Sequence, residues 1–154
     1  MRVRDACEQD ADEACAVIRR SIVELCVLDH QCEPGTIAGW LANKTPANAR
    51  AWIRTHHVLV ADDGGAILGV AAMSTAGEVL LNYVSPDARF RGVSKALIRG
   101  IEARAASLGL PLLTLQSTST ALPFYRAAGF TDSGPPVKGF GLTMGHPMRK
   151  RLQP

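Results

Sequence analysis

The sequence is poor in aromatic residues: two Trp, two Tyr and four Phe in 154 positions. That leaves too few rings for a base-stacking nucleic-acid platform. It also lacks a charge excess that would mark a polyanion binder, since 17 basic and 14 acidic side chains leave only +3. Neither a long-period repeat nor a low-complexity tract occurs, which excludes solenoid and collagen-like architectures. The four cysteines (Cys7, Cys15, Cys26, Cys32) all fall in the first 32 positions and form no C-x-x-C pair. They are expected to be small buried thiols on a helix rather than a disulfide framework. Cys26, His30 and Cys32 fit no zinc spacing and lack a fourth ligand, so no metal is expected. The start, MRVRDACEQD, has no apolar run that would serve as a signal peptide, so a cytoplasmic protein is expected. The longest uncharged stretch, Ala105 to Tyr125, is broken by Pro111, Pro123 and the polar QSTST, which argues against a membrane span.

What remains is a chain of 47% apolar residues, enough for a single domain over 1–154 with its own core. Residues 2–6 read as a first strand. Asp10 or Asp12 then caps a helix whose Ala14, Val17, Ile18, Ile22 and Leu25 recur at helical spacing. Asp29 to Gly35 reads as a loop, and Ile37, Trp40 and Leu41 as a short helix stopped by the segment Asn43–Pro46. Two apolar runs flanking DDGG predict a hairpin over 58–61 and 66–73, and a turn at STAG leads to a third antiparallel strand, 78–84. Val93, Ala96, Leu97, Ile101, Ala105 and Leu108 form one helical stripe, with Gly109 placed for a C-terminal cap. PLLTLQ is a short buried strand, Thr120–Ala128 a further helix, and the tail a final strand or hairpin. The order predicts an α+β fold around one mostly antiparallel sheet flanked by helices.

The segment from Arg89 to Lys95 joins a strand to a helix N-terminus, where unpaired N–H groups and the positive dipole end suit an anion. Gly92 lets backbone approach a ligand. Ser94 is small and can donate a hydroxyl, while Arg89, Arg91 and Lys95 supply charge for a diphosphate. Neither G-x-x-x-x-G-K-S/T nor G-x-G-x-x-G is present. On spacing alone, a solvated basic helix start explains the segment equally well.

VSPDARFRGVSKAL (84–97) resembles the acetyl-CoA motif of the GNAT N-acetyltransferases, V-x-P-x-x-Q/R-x-x-G-x-G/A, and ALPFYRAAGF (121–130) resembles that family's Tyr-bearing helix and following turn. The resemblance is strongest over 57–131. It implies a central sheet splayed between its fourth and fifth strands, with acetyl-CoA as co-substrate and no metal. Val84 would bond the pantetheine arm as an added strand. The amides of Arg91, Gly92, Val93, Ser94 and Lys95, with Arg89, would hold the pyrophosphate, and Thr118 and Phe124 would contact the cofactor. Two departures from the pattern stand out: Ser94 replaces Gly or Ala, and Thr118 replaces an Asn.

The same resemblance implies that an acceptor amine attacks directly, with Tyr125 as the acid that meets the leaving thiolate and Glu78 as the general base. Strand alternation puts Glu78 on one face with Asn82 and Val84, provided no bulge intervenes. His146 is a competing base. His56 and His57 are read as decorating a strand start. Asp29, His30 and Glu33, together with the GPPVKGFG loop, are expected to rim the acceptor pocket. The expected acceptor is a primary amine of a small or amino-acid-like molecule. The alternatives are a protein or peptide N-terminus, or a silent acyl-CoA-binding module. No nucleic-acid or membrane partner is expected; the resemblance allows a homodimer.

Overall fold

Alternating apolar positions build a sheet that separates two cores. The computed structural model describes residues 1–153. Strands β1 (Arg2–Asp5), β2 (His57–Asp62), β3 (Ile67–Met73) and β4 (Glu78–Val84) form an antiparallel meander. β5 (Leu112–Ser117) joins β4 in parallel, and β8 (Met144–Arg151) pairs antiparallel with the far edge of β5. The short strands β6 (Thr131–Asp132) and β7 (Val137–Lys138) complete the tail against β8.

Helix α1 (Ala11–Leu25) lays Ala14, Val17, Ile18 and Ile22 on one face of the sheet, where they meet Val58, Val60, Val70 and Leu81. Helix α5 (Val93–Ser107) lays Val93, Leu97, Ile98 and Ile101 on the other, against Leu59, Ala71, Met73 and Leu113. Each fully buried branched aliphatic contributes about 1.5–3 kcal/mol, so the two stripes fix where the helices lie. α2 (Val27–His30), α3 (Pro34–Leu41) and α4 (Pro46–Thr55) extend the α1 layer, and α6 (Leu122–Ala127) follows β5.

The expected α+β order is present, with local corrections. Part of the 29–35 loop is helical, as α2. α4 was not expected; Thr45 caps it through Asn48 N at 3.1 Å, with Pro46 at its first turn. Asp10 stands at the start of α1, but its carboxylate binds Arg4 at 2.8 Å and the Cys7 amide at 2.8 Å, not the helix. Cys15 and Cys26 are buried, but Cys7 and Cys32 are exposed. Among the described residues no helix is long and apolar enough to cross a membrane.

Gly69 in β3 sets how closely α5 approaches the sheet. A Cβ there would meet Val93 Cγ1 at 2.7 Å, Leu97 Cδ1 at 2.9 Å and the Tyr83 carbonyl at 3.0 Å. Gly69→Ala is therefore expected to lower stability by about 1–3 kcal/mol in urea unfolding. Gly65→Ala, in open space at the hairpin tip, should stay within about 0.5 kcal/mol of wild type.

Candidate active site

The pairing of β4 with β5 is brief. Only Glu78↔Thr114 and Val79↔Leu115 are in register before the strands part. Beyond that point β4 keeps its partner β3 and β5 keeps β8. The inner edges of both strands therefore face a cleft, and an extended chain can hydrogen-bond to such an edge. A bulge lies at the parting. Ala72 pairs with Leu81 and Met73 with Val79, which leaves Leu80 without an opposite residue. Val79 consequently joins the α5 core and Leu81 the α1 core, although they stand two residues apart.

The cleft holds a cavity of about 230 Å³. Of the residues singled out in the sequence, Val84, Arg89, Ser94, Thr118, Phe124 and Tyr125 line it. Asn82 lines it as well. Ser21, Leu25 and Cys26 add a wall from α1, and Leu115, Gln116, Thr120 and Ala121 add one from β5 and the turn after it. Sequence periodicity gave no signal for the α1 wall, because the same stripe also serves the core.

At the mouth, the residues on either side of Arg91 adopt the left-handed region. Phe90 has φ 62° and Gly92 φ 76°, with open space around Gly92. This turn brings the chain into α5 with the N–H groups of Val93, Ser94 and Lys95 unclaimed within the helix, Ala96 being the first to bond back, to Gly92. The Val93 side chain is in the core, so only its amide serves the mouth. Arg89, Arg91 and Lys95 are exposed, and among the described residues none is paired with a carboxylate. The Arg89 guanidinium lies 4.6 Å from the centre of the Phe90 ring. Unpaired cations beside free amides suit an anion.

Inside the cleft Tyr125 is buried, held edge-on between Phe124 (5.1 Å) and Phe130 (5.4 Å). Burial pushes its phenol up to about 12, an effect offset in part by the neighbouring Asn82 side chain. The phenol therefore keeps its proton at neutral pH. Burial likewise pushes the Cys26 thiol up to about 12, with Asp29 adding to the rise, which leaves it a weak nucleophile. Among the described residues, Arg89 is the one ionised side chain in the lining.

The turn between β5 and α6 is fixed from across the molecule. Asp29 accepts hydrogen bonds from Ser119 N at 2.6 Å, from Thr120 N at 3.2 Å and from the Thr120 hydroxyl. Thr118 Oγ1 accepts from Ala121 N at 3.0 Å, so its hydroxyl proton remains for a partner in the cleft. The acidic rim expected from Asp29, His30 and Glu33 does not exist. Asp29 and His30 are buried. His30 Nε2 donates to Ile22 O at 2.9 Å and its Nδ1 accepts from Cys32 N at 2.9 Å, so both ring nitrogens serve the chain. Glu33 caps α3 through Gly35 N and Thr36 N. The GPPVKGFG loop docks on α3, with Phe140 near Gly39 and Leu142 N bonding Thr36 Oγ1 at 3.1 Å.

The bulge also corrects the placement of Glu78. It puts Glu78 on the face opposite Asn82, exposed and outside the lining of the cavity. His146 lies outside it too, with Nε2 at 2.9 Å from the Ser119 hydroxyl. His57 opens β2 and shares its Nδ1 with Arg104 at 3.2 Å.

The fold recurs in solved structures. A GCN5-related N-acetyltransferase from Rhodopseudomonas palustris is 25% identical, with a TM-score of 0.88 over 98% of this chain and 95% of that one. The PaiA N-acetyltransferase of Thermoplasma acidophilum, solved with coenzyme A, is 18% identical, with a TM-score of 0.81 over 97% and 98%. An amino-acid acetyltransferase of Azotobacter vinelandii is 39% identical over 80 residues, which are 49% of this chain and 18% of that protein. The chain thus spans less than a fifth of that relative's length. The family model for the GNAT acetyltransferase domain matches residues 29–152. As that span takes in both edges of the cleft, the helix start at its mouth and the tyrosine within it, the chain belongs to the GNAT acetyltransferase family.

Proposed function

We propose that the protein transfers the acetyl group of acetyl-CoA to a primary amine of a small, amino-acid-like acceptor. The observation that carries this reading is the single continuous cleft: a cationic, amide-rich mouth at one end and a protonated, buried tyrosine within. The amides of Val93, Ser94 and Lys95 with Arg89 and Arg91 suit the pyrophosphate, and the edge of β4 up to Val84 suits the amide-bearing pantetheine arm. Thr118 and Phe124 flank the same path. The partial match to an amino-acid acetyltransferase supports the acceptor class.

In the reaction the amine nitrogen attacks the thioester carbonyl carbon, the C–S bond breaks and the sulfur leaves with its electron pair, while the acylated nitrogen gives up its extra proton to water to leave a neutral amide. Tyr125 donates a hydrogen bond to that sulfur. With the phenol near 12 and a thiol near 8.5, full proton transfer is uphill by about 3–4 units. Tyr125 therefore stabilises the thiolate chiefly as a fixed donor. No carboxylate or histidine lines the cavity among the described residues. An alkylammonium entering this weakly polar space is desolvated, which lowers its pKa and releases its proton towards water. Neither Glu78 nor His146 is needed for direct contact.

Tyr125→Phe should lower kcat by about 100-fold while the KM for acetyl-CoA stays within about threefold, measured by release of free CoA. An unchanged kcat would remove Tyr125 from the reaction, and no CoA release with any amine in the wild type would favour the silent acyl-CoA-binding module. Gly92→Glu places bulk and negative charge at the mouth, and calorimetric affinity for acetyl-CoA should fall at least about tenfold. Glu78→Gln and His146→Gln should each keep kcat/KM within about threefold. A loss of about tenfold or more, with a flattened pH profile in one of them, would return the proton to that side chain.

A further inference from the structure

A second cavity, about 230 Å³, opens on the α1 side of the sheet and shares Leu80 and Leu81 with the cleft. Asn43, Lys44, Trp52, His56 and Ala72 form the rest of its lining. Lys44 is 7% exposed. Its ammonium donates to Asn43 Oδ1 at 2.7 Å and, at 3.4 Å, to the Trp40 carbonyl in the last turn of α3. An ammonium carries three protons, so one is left over. Among the described residues no carboxylate pairs with it, and burial alone holds its pKa below the usual lysine value. A helix end offers only a partial negative charge, and two neutral oxygens do not neutralise a buried cation. In the same cavity wall, His56 Nδ1 is buried without a hydrogen-bond partner.

We infer that this cavity is a carboxylate subsite for the acceptor. The third Lys44 proton and an Nδ1–H of His56 would donate to one carboxylate group, while Trp52, Ala72 and Leu81 offer apolar contact to the atoms attached to it. The charge count favours a monoanion, because a phosphate would bring more negative charge than the single buried cation can balance. Leu80 and Leu81 line both cavities, so a carboxylate held by Lys44 would lie next to the stretch of β4 that borders the cleft. The assignment rests on the acetyltransferase reading and specifies its acceptor as an amine that also bears a carboxylate.

The test uses N-acetyl amino acids with small, aromatic and acidic side chains, each compared with its carboxamide, titrated calorimetrically into the protein in the presence of CoA. These pairs carry no ammonium and differ only in the carboxylate. Wild type should bind at least one carboxylate about tenfold tighter than its carboxamide. In Lys44→Met the preference should fall to within about twofold, and in His56→Phe it should fall by about threefold, with affinity for CoA alone as the control. Equal binding of both members of every pair, no binding of any, or a preference that survives Lys44→Met would overturn the subsite. If Lys44→Met does not fold, the wild-type comparison and His56→Phe decide. A protein that prefers carboxylates but transfers acetyl to no amine defeats the acetyltransferase reading and keeps the subsite. A protein that acetylates an amino acid and its amide with equal kcat/KM loses the subsite alone.

Discussion

The parting of β4 from β5 is the constraint on which the site depends. Two sheet strands side by side gain a full ladder of hydrogen bonds, so leaving their inner edges apart has to be enforced by stronger demands elsewhere. Here the demands act from both sides. β4 stays in register with β3 through Val84, and β5 is paired along its whole length with β8. Past the end of β5, Asp29 holds the next turn by three hydrogen bonds, across some ninety positions of sequence. A buried carboxylate with donors from two backbone amides and a hydroxyl is a satisfied group, and the turn it holds cannot swing in to close the gap without leaving that charge unpaired.

Electrostatics divides the cleft into two zones. The mouth is exposed, with free amides and three cations that pair with no carboxylate among the described residues, so a polyanion is attracted there and screened by little but salt. The interior is nearly free of ionised groups, and its two proton-bearing side chains of interest, Tyr125 and Cys26, are held protonated by burial. Such an arrangement suits a co-substrate with a charged end and a neutral reactive end. Under the proposed reaction, the same environment would disfavour the ammonium form of an acceptor amine with no carboxylate beside it.

How much of this was legible in the sequence follows from the range of each interaction. The Arg89–Lys95 loop was readable because its chemistry is local: Gly92 takes a positive φ and the helix starts beside it. Tyr125 was legible through its motif, and the stripes of α1 and α5 through their spacing. The bulge at Leu80 was not, because apolar alternation over 78–84 reads the same with or without one extra residue, and it was the bulge that turned Glu78 away from Asn82. Asp29 and His30 look like ordinary surface polar residues until partners distant in sequence, or the carbonyls of α1's last turn, satisfy them. Lys44 is the extreme case. In sequence it falls in the polar segment Asn43–Pro46, yet it is buried, with its ammonium bonded to Asn43 and the Trp40 carbonyl, and the pattern of its neighbours carries no trace of that burial.

The bulge connects the two cores to the chemistry. By sending Val79 towards α5 and Leu81 towards α1, it obliges both cores to agree on the position of β4 at the point where the cleft opens. Gly69 sits across from Val84 on β3 and lets α5 press against the sheet, which fixes the height of the α5 N-terminus relative to the β4 edge. The spacing between the free amides at the start of α5 and Tyr125 therefore depends on side-chain packing as well as on the turn that Asp29 holds. Packed interiors yield little to small volume changes, so substitutions well inside either core, far from any ligand, act on the cleft through the register of a single strand.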